Sequence, residues 1–194
     1  EISANYSNVS SAKLCTKIEN NFGNGVSTIE HLMAAIYMCG IDNLIIEIDG
    51  PEVPIMDGSA KDFYEMISKC GSVSQEEKRR FIKKIKKINL SESGKSISIE
   101  PSENTFSVDF TLSYKNPLIK TQSNKTDFQK KDLESIYSAR TFCLFEDIEK
   151  IKQIGLAKGG SLENAIVVKG EKVLNEGGLR NKKEFVNHKI LDLA

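Results

Sequence analysis

The 194 residues set 27 Lys+Arg against 27 Asp+Glu, a formal net charge of zero, so no net field draws the chain to nucleic acid or an anionic membrane. With 39% hydrophobic and 28% charged residues, the composition is that of a globular protein large enough to bury a core. No apolar run approaches the roughly 20 residues needed to span a bilayer, so no transmembrane segment is expected.

Residues 1–13 carry little helical or strand patterning. The first clear element is a helix from about Thr28 to Cys39. Ser27 suits the N-cap, Glu30 stands at the capping-box position and Gly40 supplies the stop. Ile29, Leu32, Met33 and Ile36 form an apolar stripe at helical spacing. His31 is expected to point away from that stripe, with Ala34 and Ala35 leaving room beside it.

Asn43–Asp49, NLIIEID, reads as a buried strand ended by Gly50-Pro51. PEVPIMDGSA, residues 51–60, is turn-rich and leads into a helix at about Lys61–Cys70. GSVSQEEKRR, residues 71–80, has Val73 as its one large apolar group and is the best linker candidate. The expected domains are residues 1–74 and 75–194.

In the second half, FIKKIKKINL (81–90), SISIE (96–100) and FSVDFTL (106–112) alternate in the manner of strands. Lys78–Lys87 holds seven basic residues in ten. A solvated edge strand protected by lysines explains it better than a nucleic-acid surface, because no stacking aromatics accompany the charge. Residues 131–154 read as helical with a break near Ser138–Thr141. AIVV and KVLN flank Gly170 as a short hairpin, and a last helix runs from about Lys182 to the end. The order fits an α+β fold of two layers.

The four cysteines, Cys15, Cys39, Cys70 and Cys143, are scattered without a CxxC pair. Reduced thiols of a cytoplasmic protein are the simplest expectation. Gly159-Gly160-Ser161 lacks the context of a phosphate loop and reads as a turn.

The two histidines are the informative residues. His31 follows Glu30 near a helix start, and His188 precedes Asp192 by four residues, one helical turn on the same face. Two imidazoles and a carboxylate are the ligand set of a hydrolytic zinc site, which keeps a fourth position for water. Other readings stay open at this level. Glu30 is either a base for that water or a capping-box carboxylate bonded to the Ser27 backbone N–H. His188 and Asp192 are either metal ligands or a surface helix pair. Thr141 is either a hydroxyl donor or an N-cap.

Taken together, STIEHLMAA (27–35), GIDN (40–43), PEVPIMDGSA (51–60), ARTF (139–142), GGSLENAIVV (159–168), VLNEGGLR (173–180) and EFVNHKILD (184–192) resemble the UDP-3-O-acyl-N-acetylglucosamine deacetylases, zinc enzymes of bacterial lipid A synthesis. The segments occur in that family's order from about Leu14 onward. The resemblance implies two similar α+β domains, each a sheet layer packed on helices, with the active site between them. It implies removal of acetate from UDP-3-O-(3-hydroxyacyl)-N-acetylglucosamine, a UDP-linked acylated glucosamine, by a cytoplasmic monomer.

Carried over motif by motif, the resemblance makes His31, His188 and Asp192 the ligands of Zn²⁺, with Fe²⁺ an acceptable substitute. Glu30 becomes the general base and Thr141 a donor to the developing oxyanion. Lys189 becomes a contact on the nucleotide side, and Phe142 and Leu14 substrate contacts. An apolar insert near residues 143–172 is expected to receive the acyl chain. Cys143 stands where the family often has glycine. A further histidine, the family's acid, has no counterpart among these residues, so a piece of a longer protein is expected. The rival readings are a metal-free scaffold with the same fold, and a zinc amidase acting on another acylated sugar.

Overall fold

A computed structural model describes residues 1–79, 86–103, 105–130 and 132–194. Helices and several small sheets alternate along the chain, an α+β mixture. β1 (Val9–Ser11), β2 (Lys17–Glu19) and β3 (Gly25–Val26) form an antiparallel sheet in that order. Two helices follow, α1 (Glu30–Met38) and α2 (Lys61–Cys70), which pack on each other. β4 (Ile88–Glu92) pairs with β5 (Lys95–Ile99), and β6 (Ser107–Ser113) with β7 (Thr121–Asp127), as two antiparallel hairpins. After α3 (Glu134–Tyr137), β8 (Phe142–Leu144) leads into α4 (Ile148–Gln153). β9 (Ile166–Lys169) and β10 (Lys172–Val173) precede α5 (Glu184–Leu191).

The hairpin around Gly170 forms with Lys172 opposite Lys169. It gains a third strand that the sequence did not suggest: β8 runs parallel to β9, with Phe142 opposite Ile166. Of the segment 131–154 read as helical, the described residues 132–154 form a short helix, a strand and a short helix rather than one interrupted helix. β7 also went unforeseen, because TQSNKTD has no apolar alternation; its ladder to β6 and its inward Gln122, Asn124 and Thr126 hold it instead.

Three expectations for the first half are corrected. The helix starts at Glu30, with Ile29 at the N-cap and no side-chain cap bond. Ser27 cannot serve, because its N–H donates to the Pro51 carbonyl and its own carbonyl accepts from Val53 N–H. Thr28, at φ 59°, turns the chain between that bridge and the helix. Second, His31 does not point away from the packed side: it is buried together with Ala34, Ala35 and Ile36. Third, Asn43–Asp49 forms no strand. Among the described residues no strand pairs with it, and Ile45 is 89% exposed. The predicted strand residues 81–85, and Arg80, Lys83 and Lys84 of the basic cluster, lie outside the described residues. Arg79 of that cluster pairs with Asp42 at 2.7 Å.

The core has two parts. Ala34, Ala35, Ala60 and Phe63 meet Phe128, Leu133, Ile136, Ile190 and Leu191, so α1 and α2 share one interior with α3 and α5. Leu112, Ile119, Ile166, Val168, Phe185 and Val186 fill the space between α5, β6 and β9. Helix α5 contributes to both through Phe185, Val186, Ile190 and Leu191, which flank the polar run Asn187–Lys189 in its middle. Such an element is held rigidly on several sides, the requirement for a precise site.

Candidate metal centre

α1 and α5 touch, and the contact brings the two histidines together. Their ring centroids are 5.0 Å apart with planes at 81°. His31 is 3% exposed and His188 1%. Asp192 caps the C-terminus of α5, its Oδ1 3.4 Å from His188 Nε2. One ligand atom from each of the three residues lies within 4.8 Å of the other two.

The proton inventory decides what this cluster is. His188 Nδ1 lies 2.9 Å from the Ala139 carbonyl, which can only accept, so Nδ1 carries the proton and Nε2 presents a lone pair. That lone pair faces Asp192 Oδ1, which is buried and has no hydrogen-bond partner. His31 Nδ1 is likewise buried and unpartnered. Leaving a buried polar atom unsatisfied costs about 1–3 kcal/mol. A lone pair on His188 Nε2 that faces an unpartnered carboxylate oxygen, with a second buried imidazole beside them, fits a shared cation.

Electrostatics keeps the donors in ligating form. Burial, and then the neighbouring His188, pushes the His31 imidazole down to about 3. Burial also lowers His188. Burial works against ionisation of Asp192, but His188 and Lys189 outweigh it and hold the carboxyl below its ordinary range. Lys189 Nζ donates to Asp192 Oδ2 at 2.8 Å, leaving Oδ1 free.

Glu30 stands beside this cluster. Its Oε2 accepts the Thr16 N–H at 3.0 Å, not the Ser27 N–H that a capping box requires. Burial raises the Glu30 carboxyl above its ordinary value, against the two backbone hydrogen bonds that lower it. A cleft of about 310 Å³ opens here, lined by Ala12, Leu14, Cys15, Thr16, Glu30, Lys189 and Asp192. Leu14, at φ 66°, projects at its exposed rim.

Of the predicted residues, Glu30, Leu14, Lys189 and Asp192 thus share one cleft, with His31 and His188 packed against Asp192. Thr141 and Phe142 do not line it. Thr141 sits two residues past the carbonyl that receives His188, its N–H bonded to Gly58 O at 2.7 Å and its carbonyl to Ile166 N–H at 2.8 Å. Phe142 packs edge-on against Phe185 at 5.0 Å, with Lys189 Nζ 5.6 Å from its ring centre. Sequence reasoning missed the Ala139 carbonyl and the Thr16 N–H, main-chain groups that no residue type announces. It also missed Lys189 as the partner of Asp192, although their i,i+3 spacing was a usable signal.

The arrangement defines an α+β protein that gathers two neutral imidazoles and a carboxylate into a cluster able to hold a metal ion, with a carboxyl group alongside. A family model described as UDP-3-O-acyl N-acetylglycosamine deacetylase matches residues 1–194. Curated relatives named UDP-3-O-acyl-N-acetylglucosamine deacetylase include one from Myxococcus xanthus, 48% identical over 86% of this chain and 53% of its own. One from Actinobacillus succinogenes is 46% identical over 92% of this chain and 59% of its own. One from Geobacter sp. is 43% identical over 98% and 62%. The chain belongs to the UDP-3-O-acyl-N-acetylglucosamine deacetylase family. It spans 53–62% of the length of these relatives.

Proposed function

We propose that the protein is a zinc-dependent deacetylase that removes acetate from UDP-3-O-(3-hydroxyacyl)-N-acetylglucosamine, the committed step of lipid A biosynthesis. One observation carries the reading: one ligand atom from each of His31, His188 and Asp192 lies within 4.8 Å of the other two, with the His188 Nε2 lone pair toward Asp192 Oδ1, which is buried and has no hydrogen-bond partner. A metal-free scaffold would retain these atoms buried and unpaired with nothing in return, so that rival is disfavoured.

His31, His188 and Asp192 would hold the ion. Zinc bound by such a set supplies Lewis acidity to the amide carbonyl and to the attacking water. Iron(II) accepts the same donors. Glu30 takes the water proton; its raised carboxyl value brings it closer to the working pH, where a general base is most effective. The Thr16 N–H on Oε2 fixes the rotamer and leaves Oε1 for that proton. Thr141 Oγ1 donates to the oxyanion as the carbonyl carbon becomes tetrahedral, a contribution of about 2.7–4 kcal/mol for a donor of this kind. Lys189 holds Asp192 and offers its remaining charge toward the nucleotide side of the substrate. Leu14 and Phe142 contact the sugar and acyl portions.

The finer architecture belongs to the same proposal: two domains, residues 1–74 and 75–194, with an acyl passage in residues 143–172. Exposed Phe145, Ile154 and Leu162 in that stretch support an apolar ligand there. Among the described residues no helix is long and apolar enough to cross a membrane. The proposal, by the family resemblance, takes the protein as cytoplasmic, and it takes it as a monomer.

The test is acetate release from the UDP-linked substrate by protein of known metal content. Release that stops on chelation and returns with Zn²⁺ is expected. No release from fully zinc-loaded protein would refute the assignment.

A further inference from the structure

PIMDGS and NEGGLR are prominent segments with no part in the chemistry above, and both lead to one buried carboxylate. Glu184 is 0% exposed and lies one turn before His188 on α5. Its Oε1 accepts from Arg140 Nε at 2.8 Å and from Arg140 N–H at 3.2 Å. Its Oε2 accepts from Arg140 Nη2 at 3.2 Å and from Arg180 N–H at 2.6 Å. Arg140 Nη2 also donates to Gly178 O at 2.9 Å. Arg180 continues the network outward, to Asp57 Oδ2 at 2.7 Å and Ser138 O at 2.8 Å. Asp57 in turn accepts from the Ser59 N–H and hydroxyl, which brace the loop at Gly58.

Arg140 stands between the two groups whose placement matters. On one side is Ala139, whose carbonyl orients His188; on the other is Thr141, held by Gly58 O and Ile166 N–H. We propose that Glu184 is a positioning residue: clamped two-pronged to Arg140, it sets the Ala139–Thr141 backbone against α5, fixing His188 toward the metal and Thr141 toward the oxyanion. A buried ion pair is a poor source of net stability compared with apolar packing, whereas the planar guanidinium fork fixes geometry strictly. Apolar side chains would fill this space but would not hold a backbone segment in one register.

The proposal rests on the metal-site reading, and its kinetic arm on the deacetylase reading. Its test uses protein expressed from the complete reading frame, with Glu184→Gln and the charge-free double variant Arg140→Met/Glu184→Met. Each is measured at a temperature where circular dichroism shows it folded. Zinc affinity is read by competition with a chromophoric chelator, site geometry by the visible spectrum of the cobalt(II) form, and kcat and KM by acetate release. The expected result is a roughly 10–100-fold loss in zinc affinity or in kcat, with KM little changed and the cobalt bands shifted. The double variant should keep the fold yet show the same loss. Wild-type affinity, spectrum and kcat in either folded variant would overturn the proposal. Loss of fold in both would overturn it too, assigning Glu184 to stability alone. If wild-type protein binds zinc but releases no acetate, the deacetylase reading fails, while affinity and cobalt spectra still decide the role of Glu184.

Discussion

His188 donates a hydrogen bond from Nδ1 to the carbonyl of Ala139 at 2.9 Å, and this single contact determines which nitrogen faces Asp192. The acceptor comes from the main chain just before β8, so it does not titrate and cannot rotate away. The lone pair on Nε2 is therefore a fixed feature of the folded protein.

Replacing His188 or Asp192 by alanine should then remove metal. Each variant is expected to retain well under one equivalent of zinc after dialysis, with affinity at least 100-fold lower than wild type, because two remaining donors no longer enclose an ion. Metal analysis of purified protein checks this. Full occupancy in both variants would defeat the ligand assignment.

Glu30 should behave in the opposite way. Glu30→Gln keeps an acceptor for the Thr16 N–H but cannot take a proton. Zinc content should stay near wild type while kcat falls by about 100-fold or more, as is usual for a general base. Unchanged kcat would show that the carboxylate serves only to bind the β1–β2 connection.

The sequence made this pairing legible only in part. The i,i+4 placement of His188 and Asp192 follows from spacing, and α5 forms inside the segment read as helical from about Lys182 to the end, but spans only Glu184–Leu191 with Asp192 at its C-cap. The capping-box reading of Glu30 failed because Ser27 is engaged by Pro51 and Val53, a tertiary bridge that local pattern cannot reveal. Asn43–Asp49 is apolar enough for a buried strand, but a strand needs a neighbour, and composition does not say whether one is there. β7 shows the converse: seven polar residues become a strand because β6 supplies the ladder. The side chains that spacing singled out, His31, His188, Asp192 and Glu30, do come together, whereas Thr141 and Phe142 do not line the same cleft and the main-chain N–H and C=O groups of the cluster were not legible.

Acid should weaken the metal-free protein well before carboxylates protonate. The folded state holds His31 with its value pushed down to about 3, and His188 is lowered as well. In the unfolded chain both titrate near 6.5. Below that pH the unfolded state binds protons that the folded state refuses, so stability falls as pH drops from about 6.5 toward 5, by up to about 1.4 kcal/mol per histidine per pH unit. Urea midpoints of chelator-treated protein at pH 7.5 and 5.5 give the comparison. The apo His31→Asn variant should show a shallower dependence, and an equal slope would contradict the burial argument.

Gly58 offers a test of how Thr141 is held. Its φ is +84°, and a Cβ there would stand 2.1 Å from the carbonyl oxygen of Asn164, a main-chain atom with no rotamer to escape into. Backbone strain at such an angle costs of order 1–3 kcal/mol before the clash is counted. Gly58→Ala must therefore push the 57–59 loop away from residue 164, and the Gly58 carbonyl that accepts the Thr141 N–H moves with it. Two readouts should change together: the thermal midpoint falls by several degrees, and kcat of the zinc-loaded, folded fraction drops while zinc affinity, governed by α1 and α5, changes less. A variant as stable as wild type would show that the loop relaxes freely. A variant that loses zinc affinity and kcat in equal proportion would show that this loop supports the ligands rather than Thr141.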